Sequence, residues 1–524
     1  MRTYSDNASG PLLVGLDIGT TNIKAVVYRP DGRTVALASV PAVTHVPRPA
    51  WAYYEPDQLW ALAVKVLRDV TAQIDDPARI AGIAVASMGE AGVPLDKDGK
   101  PTYQCIAWFD RRTIPQCDWL GQAIGEDPIF AVTGLSLQPI FGLCKLMWIK
   151  ENEPEAFART TRWLHVADYI AFELSGEGAT DWSLASRSMA FDLRKRDWDD
   201  GILRTAGIPR GIMAPAVASG TGVGSVTREA ALATGLPVGA VVSAGGQDHV
   251  CGALAARVVR PGQILDSMGT AEALFVALDE PLSDPEMGRR GYTQGAHVAG
   301  GGYYVFGGLY TSGASVDRAR DIFGAGVDYG AILAAARAVP PGSLGAGFIP
   351  HLRLANAPHA DSRARAAFVG LTTDVTQGAM MRAVLDGLAY EARSSVEPLL
   401  GYAGLGSMPE ISVIGGGAKN DLLLRIKASV MDTRLNVLDL DEATALGAAI
   451  LGGIGAGVYR DVDDALATVS VHPRAIDPDP EAVPVYETYF REVYRLLYDA
   501  LAPLNHRIHA LMIGNRPSDA VAGR

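Results

Sequence analysis

Two stretches of this chain open in the same way, and that recurrence constrains the fold more than any other feature. An apolar, β-rich run from Leu12 to Leu16 reaches the turn Gly19-Thr20-Thr21. A second strand follows over Ile23 to Tyr28 and, after Pro30-Asp31-Gly32, a third over Thr34 to Val40. In the second half, Gly262 to Ser267 reads as a strand, Met268-Gly269-Thr270 as a turn and Ala273 to Leu278 as the next strand. Each opening continues into alternating helices and strands. The first leads to a helix over Pro56 to Ile74, with Leu59, Leu62, Ala63, Val66, Leu67 and Val70 on one face, and a buried strand over Ile80 to Ala86. The second leads to a strand over Glu410 to Ile414, three glycines, a helix around Asp421 to Met431, a strand over Asn436 to Leu438 and an Ala/Gly-rich helix over Thr444 to Gly452. Such a duplication predicts two similar α/β domains facing each other across a cleft, residues 1–256 and 257–524, divided where Pro261-Gly262 precedes the second set of strands. A further helix with Tyr489, Val493, Leu496, Leu497 and Leu501 at helical spacing is expected to pack between Tyr486 and Met512.

Charge and cysteine content narrow the function. A net charge of −12 argues against nucleic acid or an anionic membrane surface as the main partner, but not against a nucleotide, whose phosphates are commonly held by backbone N–H groups and a divalent ion. Cys105, Cys117, Cys144 and Cys251 stand far apart, which fits a reducing compartment and supplies no metal or iron–sulfur spacing. No run approaches the roughly 18 apolar residues of a membrane span, and the opening MRTYSDNASGPLL lacks an apolar signal core, so a soluble cytoplasmic protein is expected. Only the ends, Met1 to Gly10 and from about Asn515 onward, are too poor in apolar residues to read as ordered.

Four stretches carry candidate chemistry. Asp17 at a strand end, followed by Gly19, Thr20, Thr21 and Asn22, suits a magnesium–phosphate group; a plain hairpin turn is the alternative, and the recurrence at Gly269-Thr270 favours the phosphate. Asp248 stands where a strand, Val241 onward, meets a glycine turn and a helix. It can cap that helix, or it can accept the proton of an attacking hydroxyl, since α/β proteins set catalytic groups at the carboxyl ends of strands. Gly415-Gly416-Gly417 between strand and helix permits close approach of a flat or phosphorylated ligand, although packing alone can require such a turn and the stretch is not a Walker sequence. Ser87-Met88-Gly89-Glu90 and, downstream, Trp108 with Asp110 fit a sugar pocket, or equally a half-buried tryptophan beside a solvated pair of arginines. The nine histidines form no metal-ligand pair, and no Gly-x-Ser-x-Gly elbow supports a hydrolase.

Taken in order, GLDIGTTNIKAVVYRPDG, AWFDRR, KLMWIKENEP, VADYIAFELSGEGATDWSLAS, SAGGQDHVCGALAA, DSMGTAEAL, TSGASVDRA, LDGLAYEARSSVE, IGGGAKND and EATALGAA resemble the FGGY family of carbohydrate kinases over roughly residues 12 to 470. The resemblance implies two ribonuclease-H-like domains of the actin/hexokinase ATPase type. It implies a first phosphate loop of Asp17, Thr20, Thr21 and Asn22 with Asp17 near Mg2+, and a second of Gly269 and Thr270. Gly313 and Asp317 would line the nucleotide site, and Gly416 and Asn420 would hold adenosine. Asp248 falls on the family's catalytic aspartate, and Met88, Gly89, Glu90, Trp108, Asp110 and His249 fall on sugar-lining positions. Xylulokinases usually carry a histidine where this chain has Gly89, glycerol kinases an Arg-Glu pair of which only Glu90 matches, and after the catalytic aspartate xylulokinases tend to have Asn and glycerol kinases Gln where this chain has His249, so the pocket is its own variant.

The expected activity is transfer of the ATP γ-phosphoryl group to a hydroxyl, preferably primary, of a ketose, polyol or related sugar, with ATP and Mg2+ as the nucleotide system. A homodimer is compatible with the family, but no interface is legible in the chain. The rivals are a sugar-independent actin-like ATPase, a sugar-binding regulator on the same fold, and an ATPase that activates a partner enzyme through an iron–sulfur cluster. Acceptor-dependent ADP release separates the kinase from all three.

Overall fold

The computed structural model describes residues 10–323, 326 and 328–514, so the expectation for the two ends lies, apart from the exposed Gly10, outside the described residues. The first glycine–threonine turn joins β1 (Leu12–Ile18) to β2 (Asn22–Tyr28), and β3 (Thr34–Pro41) completes an antiparallel meander. Strands β4 (Ile80–Ser87), β5 (Gly222–Ser225) and β6 (Val241–Gln247) extend the sheet beyond β1 in the order β5-β6-β4-β1-β2-β3, with β1, β4 and β6 mutually parallel. The second sheet contains β7 (Ile264–Met268), β8 (Glu272–Leu278), β9 (Thr293–Ala296), β10 (Tyr303–Leu309), β11 (Ile411–Ile414), β12 (Leu435–Leu438) and β13 (Pro473–Ile476). Its order is β9-β10-β8-β7-β11-β12-β13, with β7, β11 and β12 parallel. The run β10-β8-β7-β11-β12 repeats β3-β2-β1-β4-β6 in order and direction, so the duplicated hairpin of the sequence is the start of a duplicated sheet. We propose the division at 256/257: the strands of one sheet precede it and those of the other follow.

Helices cover both faces of the first sheet. Helix α1 (Pro56–Thr71) starts on a proline with Asp57 in its first turn and buries Leu59, Ala63, Val66, Leu67 and Val70 against β2 and β3. The remaining helices that matter to the site are α2 (Gly142–Asn152), α3 (Asp248–Ala255), α4 (Gly313–Phe323), α5 (Gln377–Val396), α6 (Asp421–Met431) and α7 (Ala443–Gly455). Although α7 lies in the second half of the chain, between β12 and β13, it packs on β1 and β4 of the first sheet, alongside α3. Its small residues explain the approach: a Cβ on Gly15 would collide with the Ala445 carbonyl, and one on Gly447 with that of Cys251. The α3–α7 pair thereby shares one core with apolar residues of both sheets, among them Val26, Ala84, Leu265, Phe275 and Ile414.

The carboxy-terminal helical region forms, but its buried face is displaced from the expected one. A π turn over Phe490–Tyr494 separates Val483–Tyr489 from Arg495–Gly514. The extra residue in that turn shifts the phase, so Tyr486, Phe490 and Tyr494 are buried while Leu496 is 60% exposed. Among the described residues no helix is long and apolar enough to cross a membrane, and the four cysteines are free and buried.

The junction after α3 contains a pH-sensitive contact. His297 is buried; its Nε2–H donates to the Val258 carbonyl at 2.9 Å, and its Nδ1 accepts from the Ala299 amide at 2.9 Å, which specifies the neutral ring. Burial pushes its pKa down to about 4, with the Val258 bond opposing. The unfolded chain takes up a proton below about pH 6.5 while the folded chain does not, so stability is lost as pH falls from about 6.5 through 4. His297→Gln is expected to flatten that part of the pH–stability curve by roughly 2–3 kcal/mol, measured by urea unfolding at pH 4.5 and 7.5.

Candidate active site

Three parallel strands of the first sheet end at the same edge, and each delivers a carboxylate there: Asp17 at the end of β1, Glu90 just beyond β4 and Asp248 immediately after β6. This is the edge at which α/β folds present functional groups.

Asp248 does not cap its helix. The N-cap position belongs to Gln247, and Asp248 is the first helical residue. Its Oδ1 accepts from the His249 amide at 2.7 Å and from Gln247 Nε2 at 2.8 Å, whereas Oδ2 has no protein partner among the described residues. The carboxyl is reachable but closely surrounded, and burial raises its pKa; His249 opposes the shift and Glu90 reinforces it.

The first loop closes with the Gly19 amide donating to the Asn22 carbonyl at 3.1 Å. Thr20 Oγ1 accepts from the Trp108 indole at 3.1 Å, and the Met88 amide reaches the Ile18 carbonyl at 3.5 Å, so the residues expected to line a sugar and those expected to hold phosphate are tied together. Thr21 is the exposed residue of the turn. Asp17 Oδ1 is buried without a hydrogen-bond partner. Burial and then the neighbouring Asp248 push its pKa up to about 8, against the pull of Lys24. Lys24, opposite Asp17 in the β1–β2 register, gives its ammonium to Glu442 at the start of α7, at 2.7 and 3.0 Å.

An acidic oxygen without a donor, beside turn hydroxyls, fits a hydrated divalent cation, because magnesium keeps most of its waters and takes one or two carboxylates plus phosphate oxygens. Among the described residues no group of three or more His, Cys, Asp or Glu side chains forms a complete metal cage.

The residues expected to line a sugar divide into two sets. Met88, Gly89 and Glu90 form the turn after β4, and Trp108 is half-buried with its ring edge against Phe109 (5.3 Å between centroids). Asp110, by contrast, is fully engaged: Oδ1 accepts from Arg112 N and Nε at 2.8 and 3.0 Å, and Oδ2 from Arg112 Nη2 and the Ala52 amide at 2.8 and 2.5 Å. The Arg112 guanidinium in turn lies over the Trp51 ring at 3.9 Å. Asp110 therefore braces the Trp108 segment from behind. His249 is exposed, with its ring 6.3 Å from that of Phe306 on β10.

In the second half the loop Met268-Gly269-Thr270 is bound to the start of α4. The Ser312 and Ala314 amides donate to the Thr270 carbonyl at 3.0 and 3.2 Å, and the Gly313 amide to that of Gly269 at 3.1 Å. The triple-glycine turn lies against the same loop: Gly415 has φ +96°, and a Cβ there would strike the Met268 carbonyl. The space beside Gly416 is open. Asn420 caps α6, its Oδ1 accepting from the Leu423 amide at 3.1 Å, and its Nδ2 is 3.4 Å from the Tyr329 hydroxyl. Asp317 is on the exposed side of α4, 3.8 Å from Arg320, whose guanidinium lies over Tyr329. Gly313, Asp317, Gly416 and Asn420 thus border one region.

Three features were not singled out from the sequence. Arg187, which pairs with Glu90, lies one residue past the TDWSLAS stretch, and its signal is a charge inside an otherwise small and apolar run. Lys145 is fully buried on α2 and donates to the carbonyls of Glu90 (2.6 Å) and Ile140. Lys427, on the inner face of α6, binds Asp266 at 2.5 Å and Glu272 at 2.6 Å; Glu272 also accepts from the Ser312 hydroxyl at 2.7 Å, directly beneath the second loop.

The N-terminal domain model of the FGGY family of carbohydrate kinases matches residues 12–255, and the C-terminal domain model of the same family matches residues 265–456. The xylulose kinase of Bacillus subtilis (strain 168) is 28% identical over 498 residues, 94% of this chain and 98% of that protein. The glycerol kinase of Gloeobacter violaceus is 31% identical over 463 residues, 88% of this chain and 91% of that protein. A solved structure of xylulose kinase from Rhodospirillum rubrum aligns with a TM-score of 0.87 at 30% identity, covering 94% of this chain and 100% of that one. The likeness spans both sheets, and the architecture is the expected pair of α/β domains of the actin/hexokinase type.

Proposed function

Because the chain belongs to the FGGY family of carbohydrate kinases, we propose that it phosphorylates a primary hydroxyl of a ketose, polyol or related sugar from ATP, with Asp248 as general base. That it is a carbohydrate kinase, transferring phosphate to an alcohol, follows from the family; the acceptor, the base and the site assignments are the proposal.

The observation that carries it is the state of the Asp248 carboxylate. Two donors fix Oδ1, leaving Oδ2 as an acceptor at the edge shared by Asp17 and Glu90. In the proposed reaction the acceptor hydroxyl oxygen forms a bond to the γ-phosphorus as the bond to the β,γ-bridging oxygen breaks. The hydroxyl proton passes to Asp248 Oδ2 and ADP leaves. Turn residues Thr20, Thr21 and Asn22 on one side and Gly269 and Thr270 on the other would hold the transferring phosphate. Gly313, Asp317, Gly416 and Asn420 would border the nucleoside. Met88, Gly89, Glu90, Trp108 and His249 would line the acceptor, with Asp110 supporting Trp108. A magnesium ion, when bound, would be held through Asp17 and would neutralise charge on the phosphate oxygens.

The test is coupled ADP release from the purified chain with MgATP across ketoses, alditols, aldoses and sugar acids. A signal that depends on one acceptor supports the reading. A steady signal that no acceptor changes points to the sugar-independent ATPase.

A further inference from the structure

Arg187 is buried, and its Nε and Nη2 both reach Glu90 Oε1, at 2.8 and 2.7 Å. Its guanidinium lies over the Phe141 ring of the first half (5.1 Å) and the Phe306 ring of the second (5.3 Å), so both halves hold it. It also closes the space above Gly89: a Cβ there would be 2.7 Å from Arg187 Cγ and 2.8 Å from Gln247 Cγ. Lys145 anchors the Glu90 backbone carbonyl at 2.6 Å. Glu90 Oε2 is left with no protein partner among the described residues. Burial alone would raise the pKa of this carboxyl; Arg187, reinforced by Lys145 and His249, brings it below the ordinary range.

A carboxylate oxygen without a donor accepts hydrogen bonds and cannot give one. The acceptor molecule must therefore present hydroxyl groups to it. A carboxylate at that end of the molecule would have no proton to offer and would meet Glu90 and Asp248; Arg187 Nε and Nη2 are engaged by Glu90, and its Nη1 is buried without a hydrogen-bond partner.

We propose that Arg187 is the positioning residue that sets acceptor class, holding Glu90 with one oxygen free so that the site takes neutral polyhydroxy compounds, ketoses or alditols, and refuses sugar acids. The inference rests on the kinase reading and narrows it.

The experiment compares matched acceptors of equal chain length, an alditol or ketose against the aldonic acid, by coupled ADP release. It uses the full chain and the variants Glu90→Gln, Arg187→Met and Arg187→Lys, with thermal denaturation and ADP binding measured for each. The unsubstituted chain should prefer the neutral acceptor by at least about 100-fold in kcat/KM. Glu90→Gln should narrow that ratio by about tenfold or more, losing on the neutral acceptor and gaining on the acid. Arg187→Met should raise KM for the neutral acceptor about tenfold or more with kcat changed only a few-fold, and Arg187→Lys should recover part of the loss. ADP binding should be unchanged throughout. If Arg187→Met does not fold, the Glu90→Gln ratio decides.

Equal or better use of sugar acids by the unsubstituted chain overturns this inference and leaves the kinase reading standing. An Arg187→Met protein that folds and keeps the original KM and acceptor ratio overturns it as well. Absence of ADP release with every acceptor overturns both.

Discussion

Asp248→Asn is expected to lower acceptor-dependent turnover by roughly two to four orders of magnitude, the range for loss of a general base. The substitution is nearly isosteric, and the amide oxygen can still accept from the His249 amide and Gln247 Nε2, so the helix start should be preserved. What changes is the group in place of Oδ2. An acceptor becomes an N–H donor that cannot take a proton from the attacking hydroxyl. Losing a negative charge beside Asp17 also removes a repulsion, so stability should be equal or higher. Kinetics with the acceptor that works best, together with thermal denaturation, check both statements; turnover like that of the unsubstituted chain removes Asp248 from the mechanism.

Lys427→Met should be the most destabilising single change among those considered, costing on the order of 3–5 kcal/mol, because it leaves two buried carboxylates without their cation. Asp266 and Glu272 are both buried, and Asp266 Oδ1 already lacks a partner. Even with Lys427 present, burial and then Glu272 push the Asp266 pKa up to about 7. Without the lysine Asp266 would hold its proton to higher pH when folded. In the unfolded chain it releases it near pH 4, so the loss of stability should grow as pH rises above that value. Glu272 also binds Ser312, whose amide holds the Thr270 carbonyl, and for that reason KM for ATP should rise as well. Adding Asp266→Asn and Glu272→Gln should restore most of the stability, since the penalty lies in the uncompensated charge rather than in lost packing. Urea unfolding at pH 6 and 8 measures the effect. A Lys427→Met protein within about 0.5 kcal/mol of the parent, the range of ordinary surface substitutions, would mean the cluster is hydrated or neutral rather than a buried ion network.

Much of the fold is legible because its signals are local. The apolar runs around Gly19-Thr20-Thr21 and Met268-Gly269-Thr270 specify their hairpins without help from distant residues, and the duplicated sheet follows from their recurrence. Helix α6 has the expected bounds, and Asn420 caps it. The position of α7 is a different kind of fact. Alanines and glycines announce that something packs closely, but not that the partner is β1, more than four hundred positions earlier. The pairs Arg187–Glu90 and Lys24–Glu442 are likewise created by folding, and neither residue of a pair marks the other in the chain. At Asp248 the local sequence allows both capping and catalysis, and capping is the commoner job for an Asp at such a place. The structure gives the N-cap position to Gln247 instead. In the carboxy-terminal region, periodicity predicts a continuous helix because a π turn has no clear residue signature, so Leu496 is assigned to the wrong face.

The central claim is transfer of phosphate to an acceptor alcohol, and phosphorus-31 NMR of the reaction tests it most directly. Purified chain, MgATP and a neutral ketose or alditol should yield a phosphomonoester resonance that grows in step with ADP, with no inorganic phosphate, and that is lost in Asp248→Asn. Inorganic phosphate accumulating at the same rate with and without the acceptor, and no new ester, would contradict the account.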